Sequence, residues 1–177
     1  MNATDSTQAI EGTLSQLPAG SWRVVPADSE LGFATRMFGL IPVRGRYSGY
    51  AGDLTVESDG SAKGSLQVET ATVTTGIKKR DSHLRSDDFF ASAEHPLMTF
   101  ALEGIGSQPT GTTITGTLQI RDRTIPIAAP VTIAAHGPDR LRIQAGFAVD
   151  HGAAGLAWKR VPQSVQVEAS VTLERVG

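Results

Sequence analysis

The feature that most limits what this chain can fold into is a two-residue alternation that recurs from Trp22 almost to the end. Leu31, Phe33 and Thr35 alternate with Glu30, Ala34 and Arg36. Val43, Gly45, Tyr47 and Gly49 alternate with Arg44, Arg46, Ser48 and Tyr50. The pattern returns at Leu54/Val56, Leu66/Val68, Met98/Phe100/Leu102 and Ile114/Gly116/Leu118/Ile120. It closes with Val131/Ile133, Leu141/Ile143/Ala145/Phe147 and Val165/Val167/Ala169/Val171/Leu173. Successive side chains of a strand point to opposite faces, so this spacing predicts antiparallel strands with one face buried and one wet. Turn-formers separate the runs: "SDG", "SQPTG", "HGPD" and "DHGAAG". The expected fold class is all-β, an antiparallel up-and-down barrel of about eight strands. One stretch breaks the rule. Between Gly76 and Phe90, Ile77, Arg80/Asp81 and Leu84 recur at helical spacing after Thr75, a residue able to cap a helix start. This predicts one short helix near residues 76–86.

A barrel of this size is either filled by its own side chains or holds one small ligand. Gly45, Gly49, Gly116, Ala145 and Ala169 fall on the expected inner face and leave room, which large residues such as Phe33 and Trp158 can fill. The candidate lining of an apolar channel is Phe33, Phe38, Leu40, Val43, Phe90, Met98, Phe100, Leu118, Phe147 and Trp158.

Other functions find less support. The net charge is -2, so no basic field argues for a nucleic-acid partner. There is no cysteine, which removes disulfides and thiolate metal sites. The four histidines, His83, His95, His136 and His151, show no zinc spacing, and no metal or cofactor is expected. Asp150 and His151 are adjacent and point to opposite faces of a strand, and no GxSxG turn is present to hold a nucleophile. The first twenty residues contain no Lys or Arg and no apolar run of secretory length. They read as a mobile arm with a short helical turn around residues 10–17, ahead of a single barrel domain at 21–177. With no apolar run of membrane-spanning length, the expectation is a soluble, cytoplasmic protein.

The segment "TTGIKKRDSHLRSDDFFASAEHPLMTF", Thr74 to Phe100, closely resembles the signature of the YceI-like family of polyisoprenoid-binding proteins. "WRVVPADSELGFATRMFGLIPVRGRY", "ITGTLQIRDRTIPI" and "FAVDHGAAGLAW" resemble the family's opening strands, later hairpin and penultimate turn. The resemblance implies a lipocalin-like barrel whose apolar channel takes an isoprenoid chain, with the head group near the mouth. It carries no enzyme activity with it. Family sequences often have His where this chain has Met37 and Arg where it has His151. Arg80, His83, Arg85 and His151 are the head-group candidates; the favoured reading of most charges in the run from Arg80 to Asp88, namely Arg80, Asp81, Arg85, Asp87 and Asp88, is local ion pairs and caps that fix the helix-to-strand corner.

The energetics are compatible with such a ligand. Burying one CH₂ stabilises by about 0.8 kcal/mol, so a five-carbon unit offers roughly 3–4 kcal/mol before the cost of immobilising the chain. Three readings follow. The first is a carrier of an isoprenoid or similar long apolar lipid, compatible with a homodimer that covers an apolar mouth. The second is an enzyme of lipid metabolism using His83 or His151 as acid or base. The third is a filled barrel that acts as a structural or interaction module. The first is favoured.

Overall fold

The computed structural model describes residues 17–156 and 158–177. The expected arm, with its helical turn at 10–17, lies outside the described residues apart from its last few positions. Ten strand segments follow in order: β1 (Gly20–Val24), β2 (Glu30–Met37), β3 (Ile41–Tyr47), β4 (Tyr50–Val56), β5 (Ala62–Glu69), β6 (Leu97–Gln108), β7 (Gly111–Ile120), β8 (Arg123–Ala135), β9 (Arg140–Asp150) and β10 (Ser164–Val176). One helix, α1 (Lys78–Arg85), lies between β5 and β6. No helix among the described residues is long and apolar enough to cross a membrane.

All neighbouring strands run antiparallel, and β1 pairs with both β4 and β10. The ring β1–β4–β5–β6–β7–β8–β9–β10 therefore closes on itself as an eight-stranded barrel, the predicted class. The two further segments, β2 and β3, extend this ring. β1 and β2 are one stave interrupted by a single 3-10 turn at Pro26–Asp28, and β10 pairs with β2 over one part of its length and β1 over the other. β3 and β4 are likewise one stave with a break at Ser48–Gly49.

That break corrects the sequence reading. The alternation beginning at Val43 was expected to continue to Gly49 and leave Tyr50 in water. Instead the chain resets its phase, and Tyr47 and Tyr50 are both buried. The Tyr50 hydroxyl donates to the Ser29 carbonyl at 2.6 Å, tying the resumed strand to the 3-10 turn opposite. Gly49 does not face the interior: a Cβ there would meet the Glu69 carboxylate and Thr72.

The pairing has one seam. β8 and β9 are bonded only from Val131–Ala145 to Ala135–Leu141, although β8 begins at Arg123 and β9 runs on to Asp150. Proline supplies a reason. Pro126 and Pro130 lie in the unpaired half of β8 while its ladder with β7 continues past both, so the missing N–H donors fall on the edge facing β9. Side chains cover the interior of this seam, with Ile127, Ala129 and Val149 buried and Phe147 packed against them.

Helix α1 closes the corner between β5 and β6. It falls within the predicted span 76–86, but its cap differs from the prediction. The residue before the first turn is Ile77, which makes no side-chain cap bond. Thr75 instead meets Asp81, whose Oδ1 accepts from the Thr75 N–H at 2.7 Å and from its hydroxyl at 2.6 Å, while Oδ2 accepts from the Thr74 hydroxyl at 3.0 Å. Burial would raise the Asp81 carboxyl. The hydrogen bonds from Thr75 and Thr74, with the Arg85 charge, outweigh it and hold the group below the ordinary carboxylate range.

Candidate functional site: an apolar cavity with an aromatic cage

The inner faces of the strands enclose a cavity of about 230 Å³. Its wall is almost wholly apolar, drawn from β1 to β7, β9 and β10 and from the loops after α1 and β9. Small inward residues contribute unequally. The Phe33 ring lies over Gly45, its direct cross-strand partner, and the Phe100 ring lies over Gly116, so these two glycines make room for rings. Ala145 and Ala169, paired across β9 and β10, stay on the cavity wall.

Five rings form a closed circuit on that wall. Phe33 meets Tyr47 at 6.3 Å between centroids, Tyr47 meets Phe90 at 6.2 Å and Phe90 meets Phe89 at 4.7 Å. Phe89 then meets Trp158 at 5.3 Å, and Trp158 returns to Phe33 at 6.2 Å. All the contacts are tilted or edge-on, the arrangement the ring quadrupoles favour. The segment after α1 positions two of the rings. The Phe90 N–H donates to the Leu84 carbonyl at 2.9 Å, Ala91 takes a left-handed φ of 48°, and Arg121 donates to the Phe89 carbonyl at 3.1 Å.

Of the ten residues proposed for the lining, Phe33, Phe90, Met98, Phe100, Leu118, Phe147 and Trp158 lie on the wall. Three do not. Val43 is fully buried in the core but is not on the cavity wall, and Phe38 and Leu40 stand in water at the β2–β3 turn, 61% and 78% exposed. Phe89, which the sequence pairs with Phe90 at the wall, lines the cavity too, as do Tyr47 and Leu31, which were not proposed for it. The run containing Val43 and Gly45 already placed Tyr47 on the inner face, so its signal was present in the sequence.

The proposed head-group residues mostly lie elsewhere. Arg80 donates through Nε to the Thr75 hydroxyl at 2.7 Å, and Arg85 donates to the Val73 carbonyl at 2.9 Å, so both hold the corner before β6. His83 faces solvent, 3.9 Å from Asp88. None of the three is on the cavity wall. His151 is on it, but its ring is engaged: Nδ1 is 2.7 Å from the Leu156 carbonyl and Nε2 is 3.1 Å from the Pro162 carbonyl. Its neighbour Asp150 organises the same turn, accepting from the N–H groups of Ala153 and Gly152 and from the Gln163 side chain. Those hydrogen bonds lower its carboxyl below the usual value.

The Tyr47 hydroxyl makes no hydrogen bond to another described residue. Burial pushes its ionisation well above the ordinary phenol range, so it stays a neutral O–H donor. The site therefore offers apolar volume, aromatic faces and few polar groups, the Tyr47 hydroxyl among them.

Comparison with known proteins agrees with this architecture. The structure of BcnA from Burkholderia cenocepacia superposes with a TM-score of 0.76 at 19% identity, covering 84% of this chain and 98% of that one. A polyisoprenoid binding domain from Saccharophagus degradans, implicated in plant cell wall breakdown, superposes with a TM-score of 0.71 at 15% identity, covering 88% and 98%. A UPF0312 protein of Shewanella denitrificans is 30% identical over 113 residues, which is 62% of this chain and 57% of that relative. Residues 22–175 match the YceI-like domain, a span that takes in every strand from Trp22 on and the whole of the cage, and the chain belongs to the YceI-like family.

Proposed function

We propose that the barrel binds and carries an isoprenoid or similar branched apolar lipid, with the ligand's chain in the cavity and its first polar atom near Tyr47. The observation that carries this reading is the cavity itself: about 230 Å³ inside a closed barrel, with a nearly all-apolar wall. A cavity of about 150 Å³ lined by apolar side chains admits a benzene-sized guest, so this one takes one or two five-carbon units as it stands. A longer chain requires the wall to yield. Flexible Met98 and the unbonded β8–β9 seam are the places where it can. The name of the Saccharophagus domain supports the choice of ligand class, and the shared family supports applying it to residues 21–177 as the binding unit.

No observation favours acid–base chemistry on the ligand. Both nitrogens of His151 face backbone carbonyls, and His83 lies outside the cavity.

The direct test is organic extraction of the purified protein followed by mass spectrometry, with titration of the stripped protein by prenyl quinones and prenyl phosphates. Recovery of a stoichiometric isoprenoid, or saturable micromolar binding of one, is expected. An empty extract together with no binding of either class would overturn the proposal.

A further inference from the structure

The β2–β3 hairpin ends in an apolar tip that the barrel does not cover. Phe38, Leu40 and Ile41 are 61%, 78% and 54% exposed, and they make up half of the large hydrophobic residues so exposed among the described residues. The turn joining the strands has positive φ at both central positions, 53° at Phe38 and 71° at Gly39, with the Leu40 N–H donating to the Met37 carbonyl at 3.1 Å. Its first central position ordinarily takes Asn, Asp or Gly. A bulky aromatic there accepts unfavourable backbone geometry and, in water, unfavourable exposure as well.

Positive charge lies along the hairpin and on the segment that touches its tip. Arg36, Arg44 and Arg46 are exposed on the hairpin's own strands. Lys159 and Arg160 are exposed on the segment that touches the tip, where the Arg160 carbonyl accepts the Phe38 N–H at 2.7 Å and its guanidinium lies 5.8 Å from the Phe38 ring centre. Residues 31–52 and 151–167 contain these five cations and no Asp or Glu, in a chain whose net charge is -2. A carboxylate does reach these cations from outside these segments: Glu168, 3.7 Å from Arg44.

We propose that this tip is a docking element for a bilayer surface that carries anionic lipid. Phe38, Leu40 and Ile41 enter the headgroup region, and Arg36, Arg44, Lys159 and Arg160 meet the lipid phosphates. An apolar end flanked by Lys and Arg has the composition of an interfacial anchor. A second copy of this chain fits the surface poorly, because a two-fold contact through the tip would bring the two sets of cations together. The docked end is also the cage end, since Arg160 is two residues from Trp158 on the cavity wall. The proposal concerns the outside of the barrel and stands whether or not the cavity holds an isoprenoid.

Vesicle flotation tests it, with light scattering and ligand extraction on the same samples. The full chain is expected to float with phosphatidylcholine vesicles containing roughly a quarter phosphatidylglycerol and not with phosphatidylcholine alone, and raising the salt to about 0.5 M should weaken binding. The double variant F38S/L40S should bind at least about tenfold more weakly with an unchanged melting temperature, since both side chains are in water in the unbound protein. R36Q/R160Q should lose the preference for anionic vesicles. No flotation of the wild type, or equal flotation of F38S/L40S, would overturn the proposal, as would an unchanged lipid preference in R36Q/R160Q. A wild-type dimer that F38S/L40S dissociates, without vesicle binding by either, would assign the tip to self-association instead.

Discussion

Tyr47 shows how much one residue can decide in a site with so few polar atoms. Its ring completes the aromatic circuit, and its hydroxyl makes no hydrogen bond to a described residue. Removing an unpartnered hydroxyl costs the folded protein little, whereas losing one hydrogen bond to a ligand costs about 1 kcal/mol. Tyr47→Phe should therefore leave the melting temperature unchanged or slightly raised. It should weaken binding of an oxygen-bearing prenyl ligand about fivefold and leave the corresponding hydrocarbon unaffected, as read by parallel titrations. Asp81 is the structural counterpart. Its carboxyl is held below the value of an unfolded aspartate, so its stabilising contribution is present above about pH 4, the unfolded value, and is lost as pH falls through the lower folded one. Asp81→Asn should cost about 1–3 kcal/mol at neutral pH and flatten the acid limb of stability followed by circular dichroism. For Arg80 and Arg85 the sequence left two roles open, contact with a ligand's head group and fixing of the helix-to-strand corner, and it favoured the corner. The structure has the second: donors of both are taken up by the backbone of residues 73–75.

At the scale of elements, the β8–β9 seam is the weakest part of the barrel's bonding. Amides of β9 between Gly146 and Asp150 alternate between β10, which pairs with them, and the edge of β8, which does not. Hydrogen exchange should divide them accordingly, with the β8-facing amides exchanging orders of magnitude faster than their neighbours. Uniform protection along this half of β9 would show that the ladder is closed in solution. The seam was legible in principle, since two prolines four residues apart in "TIPIAAPV" cannot sit on a fully bonded central strand. The strands themselves were legible because one-sided burial writes its period directly into the residues. Strand breaks were not, because Ser48–Gly49 resets the phase without any change of composition. The hairpin end was also missed. Alternation names the face a residue takes, not its height along the barrel, and so it could not tell that Phe38 and Leu40 lie beyond the rim.

For the molecule as a whole, binding and stability are linked. A ligand held only by the folded barrel at about a hundred times its dissociation constant adds about 2.7 kcal/mol, or roughly 5–10 °C in melting temperature for a chain of this size. Protein stripped by organic extraction should melt lower by such an amount and recover it on reloading, measured by calorimetry. A melting temperature that ignores stripping and reloading would mean that the interior never held anything. The cavity and the cage were only partly legible, because enclosed volume depends on which rings lean over which glycines, and Phe33 over Gly45 is a matter of rotamers that no linear pattern records. The chain has two tryptophans, and they report on different things. Trp22 is sealed off from the cavity, its ring under the Arg175 guanidinium at 4.7 Å, while Trp158 stands in the cage. The protein thus carries a built-in fluorescent gauge with its own internal standard. Light from Trp158 should change colour as cargo arrives, while light from Trp22 holds constant beside it.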